Sequence, residues 1–348
     1  MNILVIDDEW PEVFSGKAVR ILNIFRLLRD RHTLHFLYIG DKPPKNLHLI
    51  QDIFSSVSHI DLSLAGGSWW GRLLNLLSVM PGDYAPFRFR KDFLRVCREL
   101  DRIIQEKKIN LIHCFSYFVA QFPAAIDGVA KIWDVADSLY LTRVRKIAAQ
   151  VKKRDWKEWL YAHKLYNFER KHIASFDRTI FVSAGDAAIH RRYVSKTMLI
   201  PNGVDLDYFA PQPVGEDYPS VIFTGHMSFQ PNVAAAMFFV KDILPLVREE
   251  FPGLRFYVVG AEPSAEIQAL HGHKGVVVTG FVDDIRPYLT RATVFVAPMV
   301  NGSGIKNKIL QALAMAKPVL STTLGAEALK YEKDQDIAIA DGAGAFAG

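Results

Sequence analysis

Two kinds of apolar spacing alternate along the chain. Short runs rich in Val, Ile, Leu and Phe predict strands, and longer stretches with apolar residues at helical spacing predict helices. Helices are predicted over 16–30, 90–105 and roughly 139–173. Strands are predicted at 2–6, 32–39, 56–63, 109–115, 130–135, 178–183 and 196–201, then at 220–224 and near 254–259, 275–279, 293–297 and 317–321. This alternation favours an α/β fold with parallel sheets covered by helices.

A passage rich in proline and polar residues interrupts the pattern after residue 200. Because such stretches commonly join domains, we predict a first domain over 1–205, a linker over 206–218 and a second domain over 219–348. Two α/β domains joined in this way are expected to bind ligands in a cleft between the carboxyl edges of their sheets. The final residues, 341–348, are typical of a weak helix start with no packed helix behind it, so we expect the second domain to be truncated.

The composition is that of a globular protein with a sizeable core. The chain has 348 residues, of which 50% are apolar and 23% charged, which excludes disordered, collagen-like and coiled-coil proteins. The N-terminus has no signal-like segment and no stretch approaches the ~20 apolar residues of a membrane span. Cys97 and Cys114 are too few for a disulfide framework. A cytoplasmic location is therefore expected.

Positive charge is concentrated in two segments. Residues 143–171 contain ten Lys or Arg and three acids, a net +7, whereas the whole chain carries +5. Residues 88–102 contain six basic residues and three acids. Such segments suit an anionic surface, namely phospholipid, a phosphate-bearing substrate or nucleic acid, or else form solvated helix faces. No nucleic-acid motif accompanies them.

The apolar segment 69–80 either dips into a membrane interface or packs in the first domain's core.

The strongest chemical signal lies at 297–319. A predicted strand ends at Pro298, a loop with Gly302 and Gly304 follows, and a helix is predicted to open near Gly304. Glycines at a helix N-terminus let an anion approach unpaired backbone N–H groups, and Lys306 and Lys308 add positive charge there. This combination suits a diphosphate. The alternative is an ordinary surface helix with solvated lysines.

Several motifs, in order along the chain, resemble those of one family. QALAMAKPV at 311–319 is similar to the Glu-Ala-Met-Ala-x-Gly-x-Pro-Val pattern of the group 1 glycosyltransferases (glycosyltransferase family 4, GT-B fold). FVS at 181–183, IPNGVD at 200–205, FTGHMSFQPN at 223–232 and VTGFVDD at 278–284 extend the resemblance over nearly the whole chain. The subgroup associated with exopolysaccharide and sorting-system loci is the most similar.

The resemblance implies a retaining, metal-independent hexosyltransferase of polysaccharide or glycolipid synthesis. A nucleotide-sugar would be the co-substrate, and no separate cofactor would be needed. The acceptor would be a glycan or a lipid-linked hydroxyl compound. The enzyme would be cytoplasmic or peripheral at the inner face of the plasma membrane. The GT-B fold consists of two Rossmann-like domains that face each other across a cleft, with the donor against the second and the acceptor against the first. The catalytic residues would be His113, Lys306 and Lys308. The donor-binding residues would be Gly16, Gly225, His226, Asn232, Gly302, Ser303, Gly304, Asn307 and Gln311, and the acceptor or cleft residues Asp134 and Asp137.

Some of these assignments compete with structural interpretations. A histidine near a strand end, as at His113, is often structural, and Asp137 with Ser138 is also typical of a helix cap. The chain departs from the family as well: Ser303 and Gln311 stand where the family has two glutamates. Gln311 retains the ability to bond ribose hydroxyls, but Ser303 supplies no negative charge.

Two other functions therefore stay open. The missing glutamates leave a catalytically inactive nucleotide-sugar-binding or scaffold protein as the main alternative. A Rossmann oxidoreductase is disfavoured, because the first loop carries Asp7, Asp8 and Glu9 in place of a glycine-rich turn, and these acids would repel a pyrophosphate.

Overall fold

A computed structural model describes residues 1–10, 16–40, 50–62, 90–149, 156–213, 215–302 and 304–348. The segment 69–80 and Ser303 lie outside these ranges. The chain divides into two compact units. Unit 1 consists of Met1–Ile147 and Lys152–Ile200, and unit 2 consists of Ala148–Val151 and Pro201–Gly348.

Unit 1 is built on a seven-stranded sheet in the order β3-β2-β1-β4-β5-β6-β7, in which every pairing is parallel. The strands are β1 Asn2–Asp7, β2 Thr33–Gly40, β3 Ser56–Asp61, β4 Leu111–Cys114, β5 Ala130–Ala136, β6 Arg178–Phe181 and β7 Thr197–Leu199. The helices are α1 Gly16–Leu28, α2 Arg90–Glu106, α3 Tyr117–Ala120, α4 Leu139–Ala149, α5 Trp156–Ser175 and α6 Ala184–Ile189, with 3₁₀ segments at Pro123–Ala125 and Arg191–Lys196.

The central strands of unit 1 are apolar on both faces. Leu4 and Ile6 pack into one core cluster and Ile3 and Val5 into another, so β1 is covered on both sides. A parallel sheet requires such cover, since its crossover connections place helices on both faces. The continuous apolar run at the N-terminus is thus explained by its position in the middle of the sheet.

Unit 2 repeats this plan with a six-stranded parallel sheet in the order β10-β9-β8-β11-β12-β13. The strands are β8 Ser220–Thr224, β9 Arg255–Val259, β10 Val276–Gly280, β11 Val294–Ala297, β12 Val319–Ser321 and β13 Ala338–Ile339. The helices are α7 Gln230–Phe238, α8 Leu244–Glu250, α9 Ala265–Gln268, α10 Arg286–Arg291, α11 Asn307–Ala314, α12 Thr323–Ala326 and α13 Ala343–Ala347, with a π-helical segment Phe239–Ile243 and a 3₁₀ segment His273–Gly275.

Each sheet reverses its strand order at one place. In unit 1 the order reverses between β1 and β4, and in unit 2 between β8 and β11. The loops that leave the two strands there go to opposite faces of the sheet, which opens a crevice at the carboxyl edge where ligands bind in folds of this kind. Both units are therefore Rossmann-like, and each has its own switch point.

Three local predictions can be compared with the structure, and the first needs correction. The helix predicted to open near Gly304 begins at Asn307, because Gly302 (φ 109°) and Gly304 (φ 70°) are in left-handed conformations that no helix contains. The weak helix start predicted at 341–348 corresponds to the short helix α13, whose Phe346 is buried in the core of unit 2. The prediction of one helix over 139–173 corresponds to α4 and α5, which flank residues 150–155 outside the described ranges.

One buried histidine makes the stability of unit 1 depend on pH. His172 is 2% exposed, its ring centroid lies 3.9 Å from that of Phe168 in a stacked arrangement, and its Nδ1 is 2.8 Å from the Phe168 carbonyl oxygen. Burial lowers the pKa of His172 to about 4. The unfolded chain therefore takes up a proton at this residue below about pH 6.5, and the folded chain does not until about pH 4.

We predict that this difference removes about 3 kcal/mol of stability between pH 6.5 and 4. Glutamine cannot titrate, so between pH 6.5 and 4 the free energy of unfolding of the His172→Gln variant should fall by about 3 kcal/mol less than that of wild type. The measurement is urea denaturation from pH 7 to 4, with exposed His271→Gln as the matched control. Identical slopes for wild type and His172→Gln would contradict the assignment.

Candidate functional site

The carboxyl edge of unit 2 is organised by two glycines in contact. Gly225 follows β8 and Gly260 follows β9, and a Cβ atom placed on Gly260 would lie 1.8 Å from the Gly225 carbonyl oxygen. Hydrogen bonds from the Gly225 N–H to Val259 O (3.0 Å) and from the Met227 N–H to Ala261 O (2.8 Å) tie the two loops together. Only glycine allows this approach, so the position of the loop that carries His226 is fixed by the backbone.

Beside this loop, a lysine ammonium is held by neutral groups. The Nζ of Lys308 donates to Asn232 Oδ1 at 2.6 Å and lies 4.0 Å from the ring centroid of Phe223. The Asn232 amide in turn donates to the carbonyl oxygen of His226 at 2.9 Å. Within the described ranges no carboxylate lies within 4.0 Å of this ammonium. Burial, and secondarily the charge of Lys306, lower the pKa of Lys308 well below its usual value.

The loop before α11 places a second lysine close by. Gly302 and Gly304 give the loop its left-handed turns, and Lys306, 9% exposed, donates from Nζ to the Gly304 carbonyl oxygen at 2.9 Å. Lys306 itself has an extended backbone and stands just before the helix, while Lys308 is in its first turn. The predicted pair of lysines is thus split between loop and helix. Ser303 lies outside the described residues.

The other predicted donor residues of unit 2 have more varied surroundings. The Asn307 side-chain oxygen accepts from Asn202 at 2.9 Å, which fastens the chain after residue 200 to α11. His226 Nδ1 is 3.0 Å from Ser228 Oγ, and its Nε2 is 3.7 Å from Glu262. Gln311 lies one turn beyond Lys308 and is partly exposed. Gly225, His226, Asn232 and Lys308 therefore form one connected group.

The carboxyl edge of unit 1 contains a buried ion pair beside His113. Arg20, in α1, donates from Nε and Nη2 to Asp134 Oδ2, both at 3.0 Å, and both side chains are almost fully buried. His113 Nε2 lies 3.6 Å from the same oxygen, and this buried nitrogen has no hydrogen-bond partner among the described residues. The His113 ring stacks on Phe115 at 4.6 Å. The structure therefore brings His113 and Asp134 together.

The acids of the first loop are bridged by one lysine. Lys17 Nζ lies 2.9 Å from Asp7, 3.6 Å from Asp8 and 3.0 Å from Glu9. Burial raises the pKa of Asp7 to about 8, against the opposing effect of Lys17. Gly16, the predicted glycine of this turn, is the exposed first residue of α1, directly before Lys17.

Three loops at the same edge of unit 1 meet at one buried carboxylate, that of Glu169 in α5. It accepts hydrogen bonds from the Tyr117 hydroxyl (2.7 Å), the Ser138 hydroxyl (2.9 Å) and the Tyr140 N–H (3.0 Å), and His190 Nε2 is 2.7 Å away. These groups come from the connections after β4, β5 and β6.

The same contacts place Asp137. Its carbonyl oxygen is 3.0 Å from the Tyr117 hydroxyl. Ser138 caps α4 by accepting from the Leu141 N–H at 3.1 Å, which matches the capping interpretation for that residue. Asp137 is partly buried immediately before this cap. Its backbone position therefore depends on Glu169.

Sequence reasoning missed several residues that hold these sites together. Phe223 and Gly260 could have been found, since both stand at the carboxyl ends of predicted strands. Arg20 and Glu169 had no such signal, because each lies within a helical pattern and its partner is more than 20 residues away. Within the described ranges, no group of three or more His, Cys, Asp or Glu side chains is placed to hold a metal ion.

Two family models together match residues of both units. The family model described as "Glycosyltransferase Family 4" matches residues 14–208, more than half of the chain, and that described as "Glycosyl transferases group 1" matches residues 218–348. The chain belongs to glycosyltransferase family 4. The resemblance inferred from its motifs is thereby confirmed.

Solved structures confirm the GT-B α/β fold of this glycosyltransferase. A sucrose-phosphate synthase from Thermosynechococcus elongatus superimposes with a TM-score of 0.69 at 16% identity, over 99% of this chain and 88% of the other. The Anabaena protein HepE, in complex with UDP and glucose, superimposes with a TM-score of 0.65 at 14% identity, over 98% and 86%.

Curated relatives of this glycosyltransferase match over shorter segments. A 44.6 kDa protein of the cps region of Klebsiella pneumoniae is 23% identical over 53% of this chain and 49% of its own length. A phosphatidyl-myo-inositol mannosyltransferase of Mycobacterium tuberculosis is 29% identical over 38% of this chain and 36% of its own. The chain thus matches half or less of these relatives' length.

The Glu169 contacts generate a stability prediction. Replacing Glu169 by Gln removes the buried negative charge that Tyr117, Ser138, Tyr140 and His190 surround, and an NH2 donor takes the place of one of its two acceptor oxygens. We therefore expect a loss of about 3 kcal/mol in the free energy of unfolding. Glu158→Gln is the matched control on the same helix: its partly exposed pairs with Arg143 and Lys146 should contribute less than about 1 kcal/mol. Chemical denaturation measures both, and equal losses would show that Glu169 has no special role.

Proposed function

We propose that this family 4 glycosyltransferase moves a hexosyl unit from a nucleotide-sugar donor to a hydroxyl acceptor, with retention of configuration and without a metal or other cofactor. The observation that carries the proposal is the Lys308 ammonium, held against Asn232 and Phe223. A partly buried cation with only neutral partners is costly unless a ligand supplies the negative charge. A diphosphate is a ligand of that kind.

In this proposal Lys308 and Lys306 neutralise the charge that develops on the departing diphosphate. Such stabilisation, directed at the leaving group, is worth roughly 3–4 kcal/mol for each strong donor. Gly302 and Gly304 place no side chain of their own between the loop backbone and the diphosphate, and Gln311 bonds the ribose hydroxyls. The acceptor oxygen attacks the anomeric carbon on the face that the diphosphate leaves, the bond to the diphosphate breaks, and the acceptor's proton passes to a diphosphate oxygen.

A solved structure with the same fold supports a nucleotide-sugar as the class of donor. HepE, which shares the fold at 14% identity, forms complexes with UDP and with UDP-glucose. A nucleotide-sugar is therefore the donor that we propose here, with UDP as the first nucleotide to try. The cps-region and mannosyltransferase relatives support polysaccharide or glycolipid synthesis as the setting.

Unit 1 contributes the groups for sugar or acceptor hydroxyls in this proposal. His113 Nε2 is buried and without a hydrogen-bond partner among the described residues, and it lies beside Asp134, whose charge is balanced by Arg20. A hydroxyl that reached this nitrogen would satisfy it. Asp137 is the second candidate for hydroxyl recognition, since its backbone is fixed by Tyr117.

An inactive nucleotide-sugar-binding protein is the second candidate function. It is favoured by Ser303 and Gln311, which replace two glutamates of the family pattern. The two functions share the Lys308 site and differ only in turnover. Tight nucleotide binding without release of free nucleotide from any donor and acceptor would favour the binding protein.

The test is a thermal-shift titration of UDP and other nucleoside diphosphates against wild type, Lys308→Met and the control Lys241→Met, an exposed lysine of unit 2. A ligand at about 100 times its dissociation constant stabilises the wild type by about 2.7 kcal/mol. We expect Lys308→Met to weaken binding at least about tenfold, because a charge-assisted hydrogen bond is lost. The control should bind like wild type.

The same variant should be no less stable than wild type without ligand. The lowered pKa of Lys308 means that the folded state binds its proton less tightly than the unfolded state, so the group opposes folding at any pH below its usual pKa. Unchanged nucleotide affinity in Lys308→Met, or in the double variant Lys306→Ala with Lys308→Ala, would contradict the diphosphate role. Absence of binding by wild type would contradict the proposed function itself.

A further inference from the structure

The turn that follows β5 contains a backbone conformation that its residue disfavours. Ala136, the last residue of the strand, has a left-handed φ of 57°, and the pairing with β6 shifts register between Asp134 and Ala136. In this conformation a Cβ atom lies too close to the following carbonyl oxygen, so glycine usually occupies it. Lys108 of unit 1 is also left-handed, but it lies just after the end of α2, where such residues commonly close a helix. Ala136 ends a strand and needs another explanation.

The residues after Ala136 are held by side chains from three other helices. Four consecutive backbone N–H groups, those of residues 138–141, each donate to a side-chain oxygen. The pairs are Ser138 with Asp186 Oδ1 (2.8 Å), Leu139 with the Tyr117 hydroxyl (2.9 Å), Tyr140 with Glu169 Oε1 (3.0 Å) and Leu141 with Ser138 Oγ (3.1 Å). The first N–H groups of a helix have no partner within it, and one capping side chain normally satisfies one of them. Here α3, α5 and α6 each supply an oxygen to the start of α4.

Two of these oxygens belong to fully buried carboxylates. Glu169 and Asp186 are both 0% exposed, and Asp186 also accepts a hydrogen bond from the Ser183 hydroxyl. Taking a carboxylate out of water is costly, and well-packed apolar residues in its place often give equal or greater stability. Stability alone therefore does not explain the arrangement, whereas a turn that must keep one geometry does.

We propose that Glu169 and Asp186 are positioning residues for glycosyl transfer, which hold residues 136–138, the strained turn, in one conformation. Asp137 lies between the left-handed Ala136 and the hydrogen-bonded Ser138, so these contacts determine where it meets a ligand. Backbone strain persists only where the surroundings over-determine it, and it clusters at sites that bind or react. The proposal rests on the proposed function, in which Asp137 recognises a hydroxyl group.

The first experiment measures UDP release from UDP-glucose, with a bacterial envelope extract as the source of hydroxyl acceptors. The rate is divided by the concentration of UDP-binding sites, so that a loss of folded protein does not affect it. We expect Glu169→Gln, Asp186→Asn and the milder Tyr117→Phe each to lower kcat at least about tenfold, because a displacement of about 1 Å can cost about 100-fold in rate. The half-saturating UDP-glucose concentration and the Kd for UDP should stay within about twofold of wild type, since the donor site is in unit 2.

The second experiment separates positioning from stability. Glycine adopts the left-handed conformation without strain, so adding Ala136→Gly to Glu169→Gln should raise its kcat at least about threefold, although the hydrogen bonds to Glu169 stay lost. Lys108→Gly is the matched control, because it relieves the same conformation elsewhere in unit 1 and should leave the kcat of Glu169→Gln unchanged. Glu158→Gln, on the same helix as Glu169, should keep the wild-type kcat.

Three results would overturn the positioning role while wild type is active. They are a normal kcat for each binding site in Glu169→Gln and Tyr117→Phe, a parallel loss of UDP affinity, and equal rescue by Ala136→Gly and Lys108→Gly. If Glu169→Gln does not fold, the kcat of Tyr117→Phe decides, since this variant removes one hydroxyl and keeps both carboxylates. Absence of UDP release by wild type would instead contradict the proposed function, on which the role depends.

Discussion

Parallel strand pairing is the constraint on which both units depend. Every pairing in the two sheets is parallel, so each connection must return along the outside of the sheet and all carboxyl ends lie at one edge. Residues that are far apart in sequence therefore lie close together at this edge, although no sequence pattern links one to the other. His113 and Asp134 meet for this reason, as do Gly225 and Gly260.

The buried charges of the two units are compensated in different ways. In unit 1, Asp134 has Arg20 as its partner, and Glu169 is surrounded by hydroxyl, amide and imidazole donors. Both carboxylates are satisfied within the protein, so they stabilise the loops at the sheet edge without a ligand. In unit 2, Lys308 has an amide oxygen and an aromatic face but no described carboxylate. This contrast distinguishes a group that supports the fold from one that is suited to a ligand.

The sequence predicted the central elements well, because their signal is local. Strands such as Ser220–Thr224 are continuous apolar runs, and the helix Gly16–Leu28 shows clear helical spacing. The motif at 311–319 identified the family, and the glycine loop before it pointed to Lys308. Strand Ala338–Ile339 was not predicted, because two residues are too few to show a periodic pattern of apolar positions. The start of α11 was misplaced because the conformations of Gly302 and Gly304 depend on the loop. Glu169 was missed because its donors come from three separate connections.

The lowered pKa of Lys308 has a calorimetric consequence. A diphosphate placed beside this ammonium would stabilise its charged form and raise the pKa again. At any pH near the lowered value, formation of the complex would thus be accompanied by proton uptake from the buffer. The heat of nucleotide binding would then vary with the ionisation enthalpy of that buffer, and the slope of this variation would count the protons that the buried lysine acquires.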